Sequence, residues 1–75
     1  MKNRLREIRF FRRMNQYQLA LLARVHQSRI SLAENELIEL KPDERERISN
    51  ALGTRANEIW EIGAENNTAT LATGV

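Results

Sequence analysis

No cysteine occurs among the 75 residues, so neither a disulfide framework nor a thiolate metal site can support the chain. It contains one proline and three glycines, which leaves long stretches open to helix. Aromatic residues are scarce, and the apolar residues are mostly Leu, Ile and Ala, a set that suits short packed helices. No apolar run approaches the roughly 20 residues that span a bilayer. Met1-Lys2-Asn3-Arg4 leads into a charged pattern without the apolar core of a secretory signal. A cytoplasmic location with no membrane partner is therefore expected. No nucleophile–base pairing, phosphate-cradling glycine loop or cofactor signature is present. Catalysis, a cofactor and a small-molecule ligand are not expected. Nor is a metal: His26 is the single histidine.

What the chain does have is an uneven distribution of charge. The formal net charge is +2. Residues 1–35 carry eight Lys/Arg against Glu7 and Glu34, a net +6. Residues 36–75 carry four basic against eight acidic residues, a net −4. A basic half beside an acidic half suggests a polyanion partner for the first. The alternative is a solvated charged surface.

Periodicity predicts an all-α chain of about five short helices with a thin core. The first runs from Lys2 to Arg13, with Leu5, Ile8 and either Phe11 or Arg12 on one face. Asn15 with Gln18 reads as a capping box. It opens a second helix, from Gln16 to Ala23 or Arg24, with Leu19, Leu22 and Ala23 on one side. After the turn Arg24-Val25-His26, a third helix covers Gln27 to Asn35 and turns Ile30 and Ala33 inward. Glu36 to Lys41 carries no clear signal. Pro42-Asp43-Glu44 starts a fourth helix, with Ile48, Ala51 and Leu52, that ends at Gly53. The acids Asp43, Glu44 and Glu46 read as a helix start and a solvated face. A fifth helix, Arg55 to Ile62, presents Ile59 and Trp60. The domain is expected over residues 1–62, with a disordered tail over residues 63–75.

Two short helices joined by a turn of about three residues form a unit that places the second helix in the DNA major groove. Gln27, Ser28 and Arg29 occupy the first turn of that helix, where polar side chains reach base edges. Spacing alone is a weak signal, but the residues add to it. Asn15-Gln16-x-x-Leu19-Ala20, then Val25, then Gln27-Ser28-x-Ile30-Ser31-x-x-Glu34-Asn35, resembles the helix-turn-helix of the lambda-type phage repressor and Cro family of XRE-like transcriptional regulators. The resemblance extends back to Arg6-x-x-Arg9 and forward to Ala51-Leu52-Gly53 and Ile59-Trp60.

That resemblance implies a lambda-repressor-like bundle that binds an operator in double-stranded DNA, as a dimer or as paired monomers. It implies that Gln16 bonds a phosphate and braces Gln27. Gln27 and Ser28 would face base edges, with Leu32 one turn on, against a thymine methyl. Arg9 and Glu34 would form an internal ion pair. The chain departs from the family in four respects. Arg24 stands where it favours glycine in the turn, which requires a strained backbone or a different turn, and Glu36 also stands where it favours glycine. The segment Glu36-Leu37-Ile38-Glu39-Leu40 is acidic where the family often places cations. The proline of helix 4 comes two residues late, so a shorter helix is expected.

Four further apolar residues, Phe10, Phe11, Leu21 and Leu22, have two readings. They enlarge the core, or they form an exposed patch for a partner or a homodimer. Two functions therefore compete. One is a sequence-specific DNA-binding regulator. The other is a helical protein-interaction module of the same fold without DNA binding, favoured by Arg24, Glu36 and the acidic segment.

Overall fold

The computed structural model describes residues 3–60, which form five helices. These are α1 (Leu5–Phe11), α2 (Gln16–Ala23), α3 (Gln27–Glu34), α4 (Pro42–Leu52) and α5 (Ala56–Ile59). Among the described residues there are no strands; an isolated antiparallel bridge joins Asn3 to Trp60. The expected tail over residues 63–75, and the expected helix ends at Lys2 and Ile62, lie outside the described residues. No helix among the described residues is long and apolar enough to cross a membrane.

Local chemistry sets where each helix begins. Asn3 accepts from the Leu5 amide at 3.0 Å, so α1 starts at Leu5. Asn15 and Gln18 form the reciprocal cap of α2, at 2.8 and 2.9 Å. In α4 the proline stands in the first turn, and Glu44 reaches back to the Lys41 amide at 2.9 Å. At 11 residues α4 is the longest of the five, not shortened as expected.

The four longer helices end in one way. Arg13, Arg24, Glu36 and Gly53 each follow a helix with φ between 58° and 65°. In each case the next amide bonds to a carbonyl five residues back: Met14 to Arg9, Val25 to Ala20, Leu37 to Leu32 and Thr54 to Ser49. This is the left-handed closure that favours glycine, yet only one of the four positions carries it. Arg24 therefore takes the strained backbone rather than a different turn, and Glu36 adopts the same left-handed conformation. Arg47 of α4 clamps the α2–α3 turn, donating to the carbonyls of Ala23 (2.9 Å) and Arg24 (3.3 Å).

The core is formed by Leu5, Leu19, Ala23, Val25, Ile30, Ala33, Leu40, Ile48, Leu52, Ile59 and Trp60, all buried. Helix α2 packs against both α3 and α4. Leu40 and the half-buried Ile38 anchor the segment between α3 and α4 on this core. Several expectations are corrected. Helix α1 spans only Leu5–Phe11, and its second buried residue is Arg9, not Phe11 or Arg12. Leu22 points to solvent, because Leu19 and Ala23, one turn apart, fill the inward stripe of α2. Trp60 has left the helix and is extended, which lets it pair with Asn3.

Candidate nucleic-acid interface

One buried carboxylate organises the approach to α3. Glu34 accepts from Arg9 Nε and Nη2 at 2.6 and 3.1 Å, from Gln16 Nε2 at 3.0 Å, and from Arg6 Nε at 3.5 Å. Arg9 also donates to the Met14 carbonyl at 2.9 Å, just before α2. This cluster ties α1, the start of α2 and the end of α3 together. Burial alone would push the Glu34 carboxyl up. The hydrogen bonds from Arg9 and Gln16 and the charge of Arg9 outweigh it and hold the carboxyl below its ordinary range. The expected pairing of Arg9 with Glu34 is present.

Helix α3 has two distinct sides. Ile30 and Ala33 are buried, whereas Gln27, Ser28 and Leu32 are exposed. Positions 28 and 32 stack on one face, one turn apart. Gln27 opens the helix, and His26 before it is exposed without a side-chain cap bond. Gln16 is half-buried and turns its amide toward Glu34; among the described residues it makes no hydrogen bond to Gln27.

Arg29 lies to the side of this face. Its Nε and Nη2 donate to the two carboxylate oxygens of Glu44, at 2.8 and 2.7 Å. Glu44 is buried, which corrects its reading as part of a solvated face. Arg29 holds the Glu44 carboxyl below its ordinary range, helped by the Lys41 amide. The pair spans 15 residues of sequence and two helices, so no local pattern announces it.

The four extra apolar side chains do not enlarge the core. Phe10, Phe11, Leu21 and Leu22 are each more than 60% exposed. They border three shallow grooves, of which the two beside Leu21 and Leu22 share Arg24. Phe10 and Phe11 sit with Arg12, Thr54 and Glu58. Leu21 sits with Tyr17, Arg24 and Gln27. Leu22 sits with Arg47, Asn50 and Ala51. Tyr17 is a residue that the sequence pattern did not single out: it is exposed and borders the groove that Gln27 also lines. Among the described residues no group of His, Asp and Glu is arranged to hold a metal ion. No protein-family model matches the chain, and no curated protein matches it either.

Proposed function

We propose that this chain binds double-stranded DNA sequence-specifically, as a phage-repressor-type transcriptional regulator whose helix-turn-helix is α2 and α3. The observation that carries the reading is the composition of α3. Its exposed side offers Gln27, Ser28 and Leu32 from the first two turns, and its other side is sealed by Ile30 and Ala33. A helix that projects polar side chains from its start matches what a major groove reads: Gln toward adenine, Ser toward either kind of base, and Leu toward a thymine methyl. Left-handed backbone at Arg24 and Glu36, where the resembled family favours glycine, supports the same fold reading. Gln16 keeps one amide N–H for a phosphate beyond its bond to Glu34.

A salt titration on random duplex tests the function. Affinity should fall steeply with salt, as phosphate contacts release counterions. Selection from a random oligonucleotide pool should then return one preferred site. Weak binding with a flat salt dependence and no selected site would end the proposal.

The exposure of Phe10 and Phe11, at 63% and 77%, favours a second reading, a protein-interaction module. Phe10, Phe11, Leu21 and Leu22 also supply the surface for a homodimer. Phe11→Ser or Leu21→Ser should then shift sedimentation toward monomer, and a wild type that is monomeric at high concentration removes that role.

A further inference from the structure

Arg29 and Glu44 meet edge to edge. Glu44 takes the side-on edge of the guanidinium, the Nε and Nη2 protons, at 2.8 and 2.7 Å. Its Oε1 is fixed in turn by the Lys41 amide at 2.9 Å. A guanidinium has five N–H donors in a rigid fork, so this arrangement leaves the end-on edge formed by Nη1 and the other Nη2 proton. Among the described residues nothing accepts from that edge, and the Arg29 side chain is 35% exposed. Residue 29 is about 100° around the helix from Ser28, at the flank of the exposed face.

Charge distinguishes what this edge suits. An arginine already paired with a carboxylate is a weakened partner for a phosphate, because the two charges largely cancel. The O6 and N7 acceptors of guanine are neutral, and the end-on fork matches them bidentately. We infer that Glu44 is a positioning residue that holds Arg29 side-on, so that the free end-on edge of Arg29 reads one guanine in the major groove. This inference rests on the DNA-binding reading above.

The test uses the full chain and the duplex selected by the wild type, with the guanine of one position replaced in turn by each other base. Wild type should prefer guanine at one position by about 5- to 150-fold. Arg29→Lys keeps the charge but not the fork; it should abolish the preference and leave the salt slope unchanged. Glu44→Gln still offers an oxygen to the Lys41 amide. It should reduce the preference and steepen the salt slope by about one unit, as the released guanidinium finds a phosphate. Arg29→Lys leaves Glu44 in place, so it decides the guanine contact even if Glu44→Gln folds poorly. The role of Glu44 has its own readout in the wild type: the Arg29 Nε proton should exchange slowly in both the free and the DNA-bound protein. Four results would overturn the inference: a guanine preference that survives Arg29→Lys, a salt slope that falls in that variant, a folded Glu44→Gln chain indistinguishable from wild type, or fast exchange of the Nε proton. A wild type that binds duplex without any guanine preference sinks this inference alone. One that binds no duplex sinks the proposed function with it.

Discussion

Arg9 and Glu34 share two hydrogen bonds, at 2.6 and 3.1 Å, across a contact that water barely reaches: their side chains are 6% and 0% exposed. The pair joins α1 to the end of α3, and with Gln16 it also fixes the start of α2. In a chain with a core this small, that cluster and the apolar residues are expected to unfold together.

Removing the carboxylate should therefore be costly. Glu34→Ala leaves Arg9 buried with only the Met14 carbonyl, at a cost of about 3 kcal/mol. For a domain of this size that is a fall of roughly 10 °C or more in Tm. Thermal and denaturant unfolding measure it directly. A change near zero would mean that the pair contributes nothing to folding.

The same carboxylate sets a pH dependence. The Glu34 carboxyl titrates below its ordinary value of 4.5 in the folded state, as do Glu44 and Asp43 below theirs. The unfolded chain therefore binds protons more readily, and stability rises with pH through this window. The contribution is complete above the ordinary carboxylate range and is lost as pH falls through the lower folded values. Denaturant unfolding from neutral pH downward should show this loss, and Glu34→Gln should flatten it. Parallel acid profiles for wild type and variant would exclude Glu34 as a source.

Arg24 holds φ 58° and ψ 44°, a conformation that costs an L-residue roughly 1–2 kcal/mol. Glycine escapes this cost but loses more chain entropy on folding. Arg24→Gly should thus raise stability by about 0.5–1 kcal/mol, with the Arg47 clamp on the turn retained. Chemical denaturation resolves a change of that size. A loss of stability would show that the Arg24 side chain contributes more than its backbone costs.

Legibility in the sequence followed the range of the interaction. Asn15 with Gln18, Pro42 and Gly53 mark helix ends through contacts within a few residues, and all three marks correspond to observed ends. Leu19, Ile30 and Ile48 each stand three or four residues before another apolar residue of the same helix (Ala23, Ala33 and Leu52) and are fully buried. Helix α2 is harder, because Leu19, Leu21, Leu22 and Ala23 crowd eight residues and leave more than one apolar stripe open. The choice is made by α3 and α4, against which α2 packs. The helices before Arg13, Arg24 and Glu36 end within two residues of where periodicity places their ends, although no glycine marks them. The burial of Leu40 depends on tertiary contacts alone. In the candidate interface, the exposed and buried sides of α3 follow from periodicity. The Arg29–Glu44 pair does not, since it joins separate helices.

The two sides of α3 should fail differently. Ile30 is fully buried, so Ile30→Ala should lower stability by roughly 2–5 kcal/mol through the cavity it leaves. Ser28→Ala, at an exposed position, should stay within about 0.5 kcal/mol of wild type. Equal losses on unfolding would contradict the orientation of the helix.

The most direct test of DNA reading is the affinity of Gln27→Ala for the selected duplex and for a scrambled one, with folding verified by circular dichroism. Gln27 is exposed, so the variant should fold normally. It should lose about 1–3 kcal/mol of discrimination at a single base pair while its binding to scrambled duplex stays near the wild-type level. A folded Gln27→Ala chain with the full wild-type preference would show that this residue reads no base. The same result at Ser28 and Leu32 would leave the protein-interaction reading in its place.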